Sequence, residues 1–269
     1  MARPVKKMPT PLGIGAGQTA HCQLPLGLTY ERLYIRANVD GVPRDVPAAD
    51  WGTYIDEIRL MVNGDAKITI TAADLVKLNT YYGETPVTGS LALFLARPWM
   101  RTPDGEDQTA YGTLSGISSF SMEMDIKTGV TINSLDVYAM QSPGRPFGPH
   151  LRIQRYVHNQ GVTGEAEISD IIRGRYALGA LHVTTAAIGD VELHVDNRKV
   201  MDMDSVIRTA HNTVAGRTEQ AGMTHIDLLA ENRLGQAMPM AVSDFRLKCF
   251  FTATGNFSIY AESIQGPQS

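Results

Sequence analysis

Residues 55–83 align without a gap on residues 188–216, at an offset of 133 that leaves six identities in 29 positions. The identical pairs are Ile55/Ile188, Leu60/Leu193, Val62/Val195, Asn79/Asn212, Thr80/Thr213 and Gly83/Gly216. Random pairing gives roughly one or two identities, so an ungapped internal match points to one structural unit used twice. The 269 residues leave room for two domains of about 120 to 150 residues each.

The two copies read alike locally. Ile58, Leu60 and Val62 alternate with Glu57, Arg59 and Met61, the period of two expected of a half-buried strand. Thr71-Ala-Ala-Asp74 then has the form of a capping box, Leu75, Leu78 and Tyr82 share a helical face, and Gly83 suits the left-handed position that closes a helix. In the second copy Met203, Val206, Ile207, Ala210 and Val214 share a face and Gly216 ends it. Short helices are therefore predicted at 71–83 and 203–216. Strands are predicted at 30–39, 55–62, 66–70, 90–97, 119–127 and 130–140 in the first half. In the second they fall at 176–185, 190–196, 224–230, 244–252 and 256–262. Leu135-Asp-Val-Tyr-Ala139 is echoed by Phe257-Ser-Ile-Tyr-Ala261.

Between the halves lies Ser142-Pro-Gly-Arg-Pro-Phe-Gly-Pro149. Proline cannot donate to a strand ladder, so this stretch reads as a linker. The expected organisation is an irregular Pro/Gly-rich arm at 1–18, one β unit at 19–142, a linker at 143–149 and a second β unit at 150–269. The pattern alone fits tandem jelly rolls, immunoglobulin-like sandwiches or carbohydrate-binding modules equally well.

Charge narrows the function. The net charge of −4 divides into 12 basic and 15 acidic residues in 1–142 and 12 and 13 in 143–269. Neither half offers the basic stripe that phosphate neutralisation needs, so direct nucleic-acid binding is not expected. No apolar run is long enough for a membrane helix, and none of signal-peptide length follows the basic start, which points to synthesis in the cytoplasm. Cys22 and Cys249 lack metal spacing and are expected to be buried apolar residues.

Candidate chemistry is sparse. Gly13-Ile-Gly-Ala-Gly17 lacks the strand before it and helix after it that a dinucleotide loop needs. The seven histidines are scattered, no nucleophile elbow occurs, and no catalytic residue is assigned. Asp104, Glu106 and Asp107 form an acidic loop with oxygen ligands of the kind calcium prefers, and Asp202 and Asp204 form a second acidic run. A solvated turn explains the first, and carboxylates at a helix N-terminus explain the second. Arg3, Lys6 and Lys7 precede any acidic residue. They mark an arm able to touch anionic lipid or a neighbouring subunit, at about 1 kcal/mol per basic residue near a charged surface.

Several fragments, in order, carry a resemblance. Gly17-Gln-Thr-Ala-His-Cys22-Gln-Leu-Pro25-Leu-Gly27-Leu-Thr-Tyr30-Glu, Ile55 to Gly64, Asp74-Leu75, Ala96-Arg-Pro98-Trp-Met100 and Ser243-Asp-Phe-Arg-Leu-Lys248 resemble the corticovirus-type double jelly-roll major coat proteins, from about residue 15 to 263. The resemblance implies an all-β chain of two tandem eight-stranded jelly-roll barrels, each with a short helix. It implies a non-enzymatic homotrimer of pseudo-hexagonal outline in a virion capsid. That shell would enclose an internal lipid membrane and meet neighbouring trimers, penton proteins and minor membrane proteins. The charge bias and Pro/Gly content of the first residues place the Arg3, Lys6 and Lys7 arm on the inner face of such a shell. The resemblance also implies calcium in the shell, without assigning ligands here. The alternative reading is a tandem β-sandwich carbohydrate-binding or spike protein, and it calls for clustered exposed aromatics. A cupin-like enzyme would need a His/Glu metal set, which the strands lack.

Overall fold

In the computed structural model, residues 3–40 and 44–266 are described, with the side chains of Pro103 and Asp104 outside that description. Strands hold 48% of residues and helices 12%, which makes the chain all-β. It divides into two compact units. One comprises residues up to Thr80 and Glu84–Leu151, the other Tyr81–Gly83 and Arg152–Gly266.

In chain order the first unit has β1 (Val5–Lys7), β2 (Thr19–Gln23), β3 (Thr29–Val39), β4 (Arg44–Asp45), α1 (Trp51–Tyr54), β5 (Ile55–Val62), β6 (Asp65–Thr71) and α2 (Ala72–Tyr81). It continues with β7 (Ser90–Phe94), α3 (Pro103–Asp107), β8 (Tyr111–Gly112), β9 (Phe120–Ile126) and β10 (Ile132–Ser142). One sheet runs β1-β10-β3-β7 and the other β2-β9-β5-β6, while β4 and β8 are short additions to β3. The core lies between the sheets: Leu33, Ile35 and Ala37 of β3, Val137 and Ala139 of β10, Ile58 and Leu60 of β5, and Phe120, Met122 and Met124 of β9 are all fully buried.

The second unit opens with β11 (His150–Gln160) and continues with β12 (Gly164–Ile168), β13 (Tyr176–Val183), β14 (Ile188–Val195), β15 (Arg198–Met203) and α4 (Ser205–Val214). It ends with β16 (Thr224–Asp227), β17 (Met238–Pro239), β18 (Phe245–Phe251) and β19 (Gly255–Gln265). Its sheets run β11-β19-β13-β16 and β12-β18-β14-β15. Strand for strand, this is the order of the first unit, and it is the order of a double-sheet jelly roll. Each unit is thus a jelly roll, as expected, whose two sheets are not closed into a barrel. Leu181, Val183, Val191, Leu193, Leu247, Cys249, Phe251 and Ile259 form its core.

The repeat holds at the level of single bonds. β5 and β14 share both ends at the offset of 133, and so do α2 and α4. Register shifts at Ile55/Ile58 and Leu60/Met61 recur at Ile188/Val191 and Leu193/His194. The hairpin turns need positive φ at both central residues, and Asn63-Gly64 (52° and 80°) and Asp196-Asn197 (46° and 62°) supply it.

One expectation is corrected. The Pro/Gly content of the first 18 residues predicts no regular element, yet Val5, Lys6 and Lys7 pair with Met140, Ala139 and Tyr138 as an edge strand. Pro4 precedes the strand and Pro9 follows it, so neither removes a ladder donor. Strands β11 and β12 also escaped the pattern reading, because Arg152, Gln154, Arg155 and the glutamates of Gly164–Ile168 dilute their apolar alternation.

Candidate functional site

The basic N-terminal residues are held within the first unit. Arg3 donates twice to the Asp107 carboxylate, at 3.0 and 2.9 Å, and lies 3.2 Å from Glu31, whose side chain is buried. Lys7 meets Asp136 across the β1–β10 pair at 2.9 Å, and that hydrogen bond raises the lysine above its ordinary pKa. Lys6 lies between them, exposed. Exposed pairs of this kind are worth at most about 1 kcal/mol, but Arg3 also stands beside a buried carboxylate.

This arrangement bears on the acidic loop. The Asp107 carboxylate is engaged by a guanidinium, and the Glu106 carbonyl accepts from the Arg97 N–H at 2.8 Å. The Asp104 side chain lies outside the described residues. Among the described residues no three His, Cys, Asp or Glu groups converge on a metal position. Asp204, in the second acidic run, caps α4 by accepting from the Ile207 N–H at 2.8 Å.

The linker stretch is also pinned to the first unit. Arg145 donates to the carbonyls of Asp107 and Ala110 at 2.7 and 2.6 Å, and the Phe147 N–H donates to Ser115 O at 2.9 Å. At Gly112 an added Cβ would lie 2.4 Å from the Pro146 carbonyl, so only glycine permits that approach.

Sequence reasoning missed a buried polar cluster in the second unit. His182 and His225 are 43 residues apart and belong to adjacent strands, where they face each other directly. Both are fully buried, with Nδ1 atoms 2.7 Å apart. Tyr81 stacks on His225 at 3.9 Å. The Tyr82 hydroxyl donates to Glu262 at 2.8 Å and lies 3.3 Å from His182 Nε2. Arg217 pairs with buried Asp227 at 2.8 Å, and Tyr81 donates to the same carboxylate at 3.3 Å.

His182 thus links the Tyr82 phenol on one ring nitrogen to His225 on the other. Burial, then the Asp227 charge, pushes the Tyr81 hydroxyl well above its usual range. With every member buried, the cluster has no approach for a substrate, and it fastens Tyr81–Gly83 within its unit. The only sequence signal for it would have been the strand pairing that brings positions 182 and 225 together.

Both halves of the chain match one family. Residues 5–142 match the viral coat protein P2 N-terminal domain and residues 150–267 match its C-terminal domain. The chain belongs to the viral coat protein P2 family. It is thus a structural capsid protein of the virion, not an enzyme. Solved structures agree on the fold. The major capsid protein P2 of bacteriophage PM2 superposes with a TM-score of 0.87 at 22% identity, covering 98% of each chain. The protein from Sulfolobus Turreted Icosahedral Virus gives 0.72 at 10% identity, covering 99% of this chain and 92% of its own. The PBCV-1 virus capsid protein gives 0.65 at 8% identity, covering 100% and 97%. No curated protein matches the sequence.

Proposed function

We propose that this coat protein works as a homotrimer of pseudo-hexagonal outline that tiles an icosahedral shell over an internal lipid membrane. The reading rests on one observation: two units of the same strand order, with the same bulges, turn and helix, occur in one chain. Three copies of such a chain carry six similar lateral faces, which suits a hexagonal tile. Paired and covered strand edges keep such a tile from uncontrolled pairing. Its partners are then neighbouring trimers, penton proteins and minor membrane proteins, and its synthesis is in the host cytoplasm. Arg3, Lys6 and Lys7 face inward, and Lys6 is the residue of the three with an exposed side chain outside the ion pairs described above.

The carbohydrate-binding alternative gains no support from Trp51, which is fully buried. Light scattering of the purified protein tests the proposal. A particle of three times 29.3 kDa at micromolar concentration supports it, and a monomer at that concentration refutes it. Flotation with anionic vesicles tests the membrane part, with loss of binding expected for Lys6→Glu.

A further inference from the structure

Helix α4 turns its apolar face outward. Val206, Ile207 and Val214 are 72%, 55% and 90% exposed, and the helix buries Arg208 and Asn212 instead. Its repeat counterpart α2 behaves as the sequence implied, with Leu75, Val76, Leu78 and Tyr81 buried. The residues that close α2, Tyr81–Gly83, belong by their contacts to the second unit. There Tyr81 and Tyr82 lie on His182, His225 and Glu262, and the Thr218 N–H donates to Tyr81 O at 3.0 Å.

The first unit has the equivalent surface. His182 pairs with Tyr260 and His225 across its two ladders, as Tyr34 pairs with Tyr138 and Ala92. Likewise Asp227 pairs with Ala180 as Phe94 pairs with Arg32. At this place Arg32, Tyr34, Val76, Thr85, Ala92 and Phe94 line an open cavity of about 160 Å³.

We propose that the C-terminal end of α4 in one copy of the chain seats in this cavity of a second copy, with Val214 and Ala215 in the places of Tyr81 and Tyr82. Sizes complement: the small Val214 and Ala215 would meet the large Arg32, Tyr34 and Phe94 that line the cavity. Charge complements as well. Arg32 lies over the Phe94 ring at 4.0 Å, and its buried Nε has no hydrogen-bond acceptor among the described residues. The C-terminal pole of a helix, with its unpaired carbonyls, is what such a cation attracts. Arg217 stands in this way over Tyr82, 4.9 Å away, at the end of α2. Thr85 is the repeat counterpart of Thr218, and its N–H is the expected donor to Val214 O. Such a contact is heterologous, so it must close into a ring or run on as a filament. With two like units per chain, the ring closes at three copies, and in this the inference rests on the trimer reading above.

Two variants of the full chain test it. Val214→Asp changes a side chain that its own unit leaves exposed, so circular dichroism should be unchanged while trimer dissociation shifts to at least about tenfold higher protein concentration, as for an interface anchor. Thr85→Cys combined with Val214→Cys should give a disulfide-linked trimer on a non-reducing gel, and neither single variant should. If the parent protein is a monomer, the trimer reading falls and this contact with it. If the parent is a trimer while Val214→Asp assembles normally and the cysteine pair stays unlinked, the contact is refuted and the trimer stands. A link formed within one chain refutes it too. Should Val214→Asp misfold, the cysteine pair decides alone.

Discussion

Asn79 and Asn212 are identical in the two halves because each side-chain amide ties its helix to the next strand. Asn79 Nδ2 donates to Ala92 O at 2.8 Å, and Asn212 Nδ2 donates to His225 O at 3.3 Å, the carbonyls again 133 positions apart. Replacing either by Ala leaves a strand carbonyl short of a donor, and a loss of about 1–2 kcal/mol is expected by urea unfolding at fixed protein concentration. Asn63 and Asp196 show the same economy at the hairpin turn. The Oδ1 of each accepts from two successive N–H groups, of Ser118 and Ser119 in one half and Ser243 and Asp244 in the other. The cysteines are free and buried, as their spacing implied, and burial pushes Cys22 up to about 11 and Cys249 to about 12. At pH 8 neither is a thiolate in the folded chain, so iodoacetamide should label the native protein far more slowly than the urea-unfolded one. The linkage follows from the sign of the shift. Unfolded thiols ionise near pH 9 while the folded ones stay protonated, so their contribution is intact below that pH and is lost as pH rises toward 12. Alkaline melts should show the loss.

The two helices are one element written twice. Thr71 Oγ1 accepts from the Asp74 N–H at 3.1 Å at the start of α2, and Asp204 caps α4 at the equivalent position. At the other end, the Glu84 N–H donates to Asn79 O and the Arg217 N–H to Asn212 O, both at 2.9 Å, across Gly83 and Gly216 at φ +87° and +80°. These are the six-to-one bonds of a Schellman motif, and they require a left-handed residue at C′. A Cβ on either glycine would meet nothing within 4 Å. Gly→Ala at either site should therefore cost about 1 kcal/mol from backbone strain alone, measured as a fall in the unfolding midpoint. The positions, caps and glycine stops of both helices were legible in the sequence, because they are set by bonds within a few residues. Which face of α4 meets its unit was not legible. Arg208 reaches the carbonyls of Gly189 and Ile188 at 2.7 and 3.0 Å, and those bonds turn its apolar residues outward.

At the scale of the molecule, the first jelly roll begins earlier than the sequence pattern placed it. β1 covers the edge of β10, and Arg3 neutralises the buried Glu31 beside it. Deleting residues 1–8 uncovers that edge and removes an ion-pair partner of the buried Glu31 carboxylate, at a cost of about 2–4 kcal/mol. A lowered melting temperature and new aggregation are expected, where a loose arm would leave the melt unchanged. By itself the sequence determined what is local or periodic: the all-β class, most strands, the repeated helices α2 and α4 but not α1 or α3, the duplication, and two cysteines without metal spacing. Each follows from side-chain alternation, capping or spacing, which act over a few residues. Only the tertiary structure decided that Val5–Lys7 joins a sheet, that Asp107 answers Arg3, and that His182 meets His225. Those contacts join positions from 43 to 135 residues apart. They depend on strand order and register, which no short window of sequence contains.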